Sequence, residues 1–406
     1  MNRRILLQRL LSMPFLGGFL GGLAAGRGST SAATIGMAAH RDYFQELGLR
    51  TFINAAGTLT SLSGSLMPDE VVDAIDYARR HYVGLDDIQT RVGERIAELL
   101  GCEAATVTSG AFSAMTLGLA GVMCGMDREK VAQLPDATGM KNEVVKLKSE
   151  HYIDYVHALL NTGATVIEVN TLKELEDSIN DRTAMLFVLN AYNDSEVGHE
   201  ELVAVGKEHG IPTFNDCAAD VPPVENLWKY TDMGYDLVAF SGGKGLRGPQ
   251  SAGLLLGRAD LITAARLHTP PRGDTIGRGM KVNKEEVLAM LVALELYVEK
   301  DHDEEWKLWE GQIAHISDTV KTVSGTQTEV HVPEIANHVP TLSITWDQSR
   351  IPLAPTDAKQ RLREGHPSIE TGGGSDGLSL STWMMRPGEE RIVARRIREV
   401  LTEAST

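Results

Sequence analysis

Four short apolar runs, "ATVIEV", "TAMLFVLN", "IPTFND" and "DLVAFSGG", recur between positions 164 and 243 of this chain. Helical stretches such as "LKELEDSI" and "HEELVAVGKEHG" separate several of them. Strands that alternate with helices can bury their side chains only in a mostly parallel sheet covered on both faces. A further strand, Ala105 to Thr108, runs through a Ser-Gly turn into a helix of small residues. Upstream, "PDEVVDAIDYARRHYV" opens with Pro68 and two acids, as a helix does. "DIQTRVGERIAELLG" ends at Gly101 in the manner of a C-cap. From Asn283 onward one long helical stretch, broken near Asp301, leads to a smaller α+β region. The expected organisation is a segment 1–33, an arm 34–67, a large α/β domain 68–284, and a linking helix with a small C-terminal domain 285–406.

The formal charge of −16 argues against a broad nucleic-acid footprint, which needs clustered Lys and Arg. Cys102, Cys124 and Cys217 form neither a disulfide framework nor a metal-ligand spacing, and read as buried thiols. No metal site is expected.

Three motifs carry chemistry. In "TVTSGAFSA", a strand ending at Thr108-Ser109-Gly110-Ala111 and opening a helix presents unpaired N–H groups at the positive end of the helix dipole. Ser109 adds a hydroxyl, although Ser-Gly turns before helices are common. Asp216 closes the strand in "IPTFNDCAAD", where α/β proteins bind ligands; a helix N-cap is an equal reading. Lys244 sits in "FSGGKGLRGPQSAGLLLGR", flanked by Gly243 and Gly245 just past another strand. An anion cradle, a strand-end carboxylate and a glycine-flanked lysine, in that order, suit pyridoxal 5'-phosphate. The lysine forms a Schiff base with the cofactor aldehyde, and the aspartate keeps the pyridine nitrogen protonated. His151 follows a short strand in "KNEVVKLKSEH", where a flat ring can stack on the cofactor; a structural histidine is an equal reading. Tyr155 and His157 are weaker candidates.

The chain resembles the selenocysteine synthase-like branch of fold-type I pyridoxal phosphate enzymes, which holds ammonia-lyases and selenium transferases. The resemblance runs from "INAAGT" to "RPGEERIVARRIREVL" and is most specific in "DIQTRVGERIAELLGCEAATVTSGA", "DCAADVPPVENLW", the Lys244 segment and "IGRGMKVNKEEVLAMLVALELY". It implies that Lys244 is the Schiff-base lysine and Asp216 the partner of the pyridine nitrogen. Ser109, Gly110 and Ala111, helped by Ser241, would bind the phosphate, and His151 would stack on the ring. Arg272, Arg278 and Lys281 in "PPRGDTIGRGMK", and Arg386 in "MRPGEE", become candidates for substrate anions; a solvated basic loop is an equal reading of the first three. The resemblance also implies a homodimer or larger homo-oligomer, with "LDDIQTR" reaching a neighbour's site.

The expected reaction is elimination from a 2-amino-3-hydroxy acid, giving a 2-oxo acid and ammonia. Selenium transfer to seryl-tRNA, amino transfer and a non-catalytic binding role are the alternatives. The first is disfavoured by the acidic charge, and the last by the intact Lys244, Asp216 and Ser109-Gly110 set.

The N-terminal "MNRRILLQRLLSMPFLGGFLGGLAAGRGSTSAAT" has paired arginines, a short glycine-rich apolar stretch and small residues around Ser31-Ala32-Ala33. That layout is the layout of a twin-arginine export signal, and the apolar stretch is short for a membrane span. Periplasmic or exported protein is expected, with a cytoplasmic or N-terminally anchored form as the alternative. Replacing Arg3 and Arg4 by Lys should retain the protein inside the cell, as read by fractionation. A wild-type protein recovered from the cytoplasm and still beginning at Met1 would overturn the signal.

Overall fold

The computed structural model describes residues 41–150 and 155–405. The expected export signal and His151 lie outside the described residues. Two compact units are present. The first, ending at Arg50, holds a single-turn helix, Tyr43–Glu46, capped by Asp42. Everything below concerns the second, Thr51–Thr406.

It opens with β1 (Phe52–Asn54) and two helices, Asp69–Ala78 and Leu85–Leu100, the latter stopped by Gly101 in the left-handed region at φ 66°. Seven strands then build the large sheet: β2 (Ala104–Thr108), β3 (Glu143–Leu147), β4 (Thr165–Val169), β5 (Thr183–Leu189), β6 (Thr213–Asp216), β7 (Leu237–Ser241) and β8 (Gly253–Gly257). Their order is β2-β8-β7-β6-β5-β3-β4. All run parallel except β8, which is antiparallel to both neighbours. The sequence reading did not separate β8 from the glycine-rich segment before it.

β5 to β8 are almost wholly buried, as strands covered on both faces must be. On one face Val145, Leu186, Val238 and Leu254 pack against the helices Leu85–Leu100, His199–His209 and Lys284–Glu299. On the other, Met185, Phe187, Phe214 and Leu255 meet helix Ala111–Cys124 and helix Ala259–Arg266. Alternation along β6 puts Asp216 on the same face as Phe214, and therefore toward the N-terminus of helix Ala111–Cys124.

The long C-terminal helical stretch breaks where expected. Lys284–Glu299 ends at Lys300, and Asp301 caps a second helix, His302–Val320, by accepting from the Glu304 N–H at 2.9 Å. β9 (Thr326–His331), β10 (Thr341–Trp346), β11 (Ser368–Glu370) and β12 (Leu378–Ser381) follow. An antiparallel sheet in the order β12-β10-β9 packs on helices His302–Val320 and Glu389–Ser405. β11 pairs in parallel with β1, which draws Ile53 and Ala55 into the C-terminal core. β1 is thus tied to the far end of its own unit.

β8 starts where the chain also turns into helix Ala111–Cys124. A Cβ on Gly253 would lie 2.6 Å from the Gly110 carbonyl carbon and 2.8 Å from the Ala111 nitrogen, both backbone atoms. Gly253→Ala should therefore lower stability by about 1–3 kcal/mol, the usual cost of overpacking, read as a drop in the urea midpoint. An unchanged midpoint would show that the turn can yield.

Candidate active site

Ser241 is the last residue of β7 and pairs with Gly253, so residues 242–252 form a loop at the C-terminal edge of the parallel strands. Open α/β sheets bind ligands at that edge. The loop folds tightly on its surroundings: a Cβ on Gly245 would stand 2.0 Å from the Val221 carbonyl oxygen. The glycine beside Lys244 serves this backbone approach. Lys244 emerges half-buried, and its amine has no hydrogen-bond partner among the described residues. Burial pulls its pKa down, against the opposing pull of Asp216 and Asp220. A larger share of neutral amine results.

Asp216 is 3% exposed. Its Oδ1 accepts from the Ala218 N–H at 3.1 Å, and no hydrogen bond from the described residues reaches Oδ2. Burial pushes the carboxyl up to about 6, with Lys244 pulling it down and Asp220 adding a like charge. Asp220, four residues on, is itself buried. Its Oδ2 accepts from the Asn190 amide and, at 3.2 Å, from the Tyr230 hydroxyl. Asp220 went unrecognised in the sequence, because nothing local distinguishes it from a helix-capping acid.

Lys244 and Asp216 line one cleft of about 530 Å³. Gly110, Ala111, Phe112 and Ser241 line it as well, together with Tyr155 and Tyr192. Gly110 sits at φ 87° as the residue before helix Ala111–Cys124, and the space where its Cβ would be is open to within 3.9 Å of the Ser251 carbonyl. The strand-to-helix turn therefore presents bare backbone. Ser109 stands apart from the cleft lining, and its hydroxyl donates to Ser113 Oγ at 3.0 Å. A second cavity of about 380 Å³ also borders Lys244 and is lined by Thr58, Thr60, Ser241, Gln250 and Ser251 with Gly64 and Gly243.

Two walls come from elsewhere in the chain. The arm residues Ala56–Thr60 approach from one side, held by Asn54, whose Oδ1 accepts from the Ala56 and Gly57 N–H groups at 3.0 and 3.1 Å. Ala336, Asn337 and Trp383 approach from the C-terminal sheet. The Asn337 N–H donates to the Ala219 carbonyl at 2.8 Å, and Thr58 Oγ1 donates to Asn337 Oδ1 at 3.1 Å. No sequence signal marked these walls, since the Asn337 contacts that bring them together join segments far apart in the chain.

The proposed anion-binding residues lie elsewhere. Arg272 donates to Asp86 Oδ1 at 3.3 Å through both terminal nitrogens, and Arg278, Lys281 and Arg386 are exposed. None of the four lines the cleft of its own chain. Of the described residues that do line it, Asp216 and Lys244 alone bear a charge. Cys124 and Cys217 are buried and Cys102 is partly so, and all three thiols are free.

The Asp216 carboxyl is raised from 3.8 to about 6, so the unliganded fold binds its proton more tightly than the unfolded chain does. Its contribution to stability is present below pH ~4 and is lost as pH rises through ~6. Relative to Asp216→Asn, the unliganded wild type should lose up to roughly 3 kcal/mol between those limits. Urea unfolding at pH 4 and pH 7 measures it; a constant difference would remove the burial cost assigned to Asp216.

Residues 52–324 match the family model of L-seryl-tRNA selenium transferase. The chain is 28% identical over 377 residues to the D-glucosaminate-6-phosphate ammonia lyase of Salmonella typhimurium (strain 14028s / SGSC 2262), covering 89% of this chain and 98% of that protein. It is equally 28% identical, over 381 residues, to a 5'-C-glycyluridine monooxygenase-decarboxylase of Streptomyces sp, covering 90% and 93%. A solved structure of D-glucosaminate-6-phosphate ammonia-lyase superposes with a TM-score of 0.79 at 27% identity, over 91% of this chain and 100% of that one. Solved structures only 14–17% identical, among them a serine palmitoyltransferase with bound PLP, share the fold at TM-scores of 0.56. The cleft fits that cofactor: a lysine amine and a buried carboxylate oxygen, both without hydrogen-bond partners among the described residues, line it together with a bare helix N-terminus. The chain belongs to the L-seryl-tRNA selenium transferase family, has the fold of the fold-type I pyridoxal phosphate enzymes, and takes pyridoxal 5'-phosphate as its cofactor.

Proposed function

We propose that the protein is a lyase that converts a 2-amino-3-hydroxy acid into a 2-oxo acid and ammonia. The observation that carries this reading is the Lys244 amine, depressed by burial and opening on the same cleft as Asp216 Oδ2, neither with a hydrogen-bond partner among the described residues. Covalently held by Lys244, pyridoxal phosphate supplies an electron-accepting ring that stabilises negative charge on the substrate Cα.

The chain's own residues do the rest. Asp216 Oδ2 would hold a proton on the ring nitrogen, and that cation would offset the cost of its own burial. Gly110 and Ala111 offer N–H groups at the start of a 14-residue helix, and the hydroxyl-rich cavity of Thr58, Thr60, Ser241 and Ser251 adjoins Lys244. These groups would hold the phosphate. Ser109 is assigned a supporting part, positioning Ser113 and the turn. His151 is assigned to stacking on the ring. Once displaced, the neutral Lys244 amine would take the Cα proton and return it to the departing β-hydroxyl as water leaves. The enamine so released takes up water and yields the 2-oxo acid and ammonia. Water lost in the first stage is consumed in the second, so no oxidant is needed.

The substrate carboxylate requires a cation that the described lining does not supply. Arg278 and Lys281, exposed and without an ion pair, are assigned to it from a second copy of the chain, with Arg272 and Arg386 as alternatives. Export in folded form, with the cofactor loaded beforehand, favours an unphosphorylated substrate. The family model also favours a second reading, selenium transfer on seryl-tRNA. A charge of −16 gives that reading little electrostatic support, and tight tRNA retention at physiological salt would revive it.

Borohydride should fix the cofactor to the peptide containing Lys244, and a label elsewhere would displace this lysine from its role. General-base assistance contributes ~10²–10⁴-fold, so Lys244→Ala should bring turnover below ordinary detection. A 2-amino-3-hydroxy acid deuterated at Cα should lose its label together with release of ammonia. If the only product across such substrates is an aminated cofactor, elimination gives way to amino transfer.

A further inference from the structure

Arg247 lies three residues beyond Lys244 in the same loop, at φ 54°, a left-handed conformation that a side chain bearing a Cβ adopts only when something holds it there. Three contacts do so. Its N–H donates to the Lys244 carbonyl at 3.0 Å. Its Nη2 donates to the Trp383 carbonyl at 2.6 Å. The same nitrogen is 3.7 Å from Glu305 Oε1, which also accepts from Lys300 Nζ at the junction between the two long C-terminal helices. Trp383 itself is 3% exposed, lines the cleft, and packs edge-on against Trp309 with ring centroids 6.3 Å apart. Its indole nitrogen lies 3.5 Å from where a Cβ of Gly57 would be, so the tryptophan also abuts the arm.

We propose that Arg247 is a positioning residue that locks the lysine-bearing loop to the tryptophan wall of the cleft, so that the reactive amine and the wall confining the substrate move as one body. Resting on the reading given under Proposed function, this assigns Arg247 no contact with substrate or cofactor. A guanidinium suits the task because its fixed fork of donors can serve a carbonyl and a carboxylate at once, which an ammonium on a flexible stem does less well. The partly buried Glu305 keeps the fork oriented and ties the helix junction into the same body.

Arg247→Gly is the informative variant, because glycine adopts φ 54° without strain and the loop should keep its path. The full-length protein would be compared with R247G and R247K in three measurements: the visible absorption of bound pyridoxal phosphate, hydrogen exchange of the peptide 378–386, and the affinity for serine as a probe 2-amino-3-hydroxy acid. In R247G the cofactor band should persist, exchange in 378–386 should accelerate, and serine should bind on the order of tenfold more weakly, the loss of one charge-assisted hydrogen bond. R247K should recover part of both effects. Unchanged exchange and unchanged serine affinity in a cofactor-loaded R247G would overturn the clamp. Absence of the cofactor band from wild type and variants alike would instead defeat the functional reading, and the exchange comparison would still decide the clamp.

Discussion

Burying the Asp216 carboxylate at the end of a covered strand is unfavourable unless something positive meets it. Among the described residues only the half-buried Lys244 and the Ala218 N–H offset that cost, and the carboxyl is left raised to about 6. The lysine is in turn depressed by the same burial. Burial works against the charged form of each, and the opposite charge of the other offsets only part of that cost. A protonated pyridine ring on one side and a covalent bond on the other would relieve both, so the electrostatics of the cleft favour the cofactor over water. Most of the surrounding structure serves to hold these two groups at the edge of the sheet.

That edge is rigid on one side and assembled on the other. Lys244, Asp216, Gly110 and Ser241 all stand at the ends of strands in the large sheet, or on the turns that leave them, on a backbone held by ladder hydrogen bonds. The opposite wall comes from the arm and the C-terminal sheet, stitched to the first side by Asn337 to Ala219, Thr58 to Asn337 and Arg247 to Trp383. The division suits an enzyme whose cofactor must stay put while substrates enter and leave. Asp220 belongs to the rigid side. Donors from Asn190 and Tyr230 stabilise its charge, and that charge acts on Asp216 and Lys244 without touching the cleft.

Much of this was legible in the chain because it is locally encoded. Apolar runs of strand length between helical stretches dictate a covered parallel sheet; Asp216 and Lys244 were readable because each directly follows such a run. The break at Asp301 was readable because an acid that can cap a helix interrupts the pattern. β8 was obscured by its glycines, which weaken a strand signal yet are demanded here by the approach of Gly253 to Gly110. Ser109 looked like a direct anion ligand because it stands in the turn, but its hydroxyl is spent on Ser113.

The sequence by itself determined the sheet, the order of its elements and the two charged groups at its edge, since those depend on periodicity and on residues adjacent to strand ends. Only the tertiary structure decided that Arg272 is taken by Asp86, that Trp383 and Asn337 wall the cleft, and that Arg247 ties the Lys244 loop to Trp383. Each of those contacts joins segments separated by many tens of residues. Its formation depends on how the arm and the C-terminal sheet dock on the core, and no local pattern of side chains carries that information.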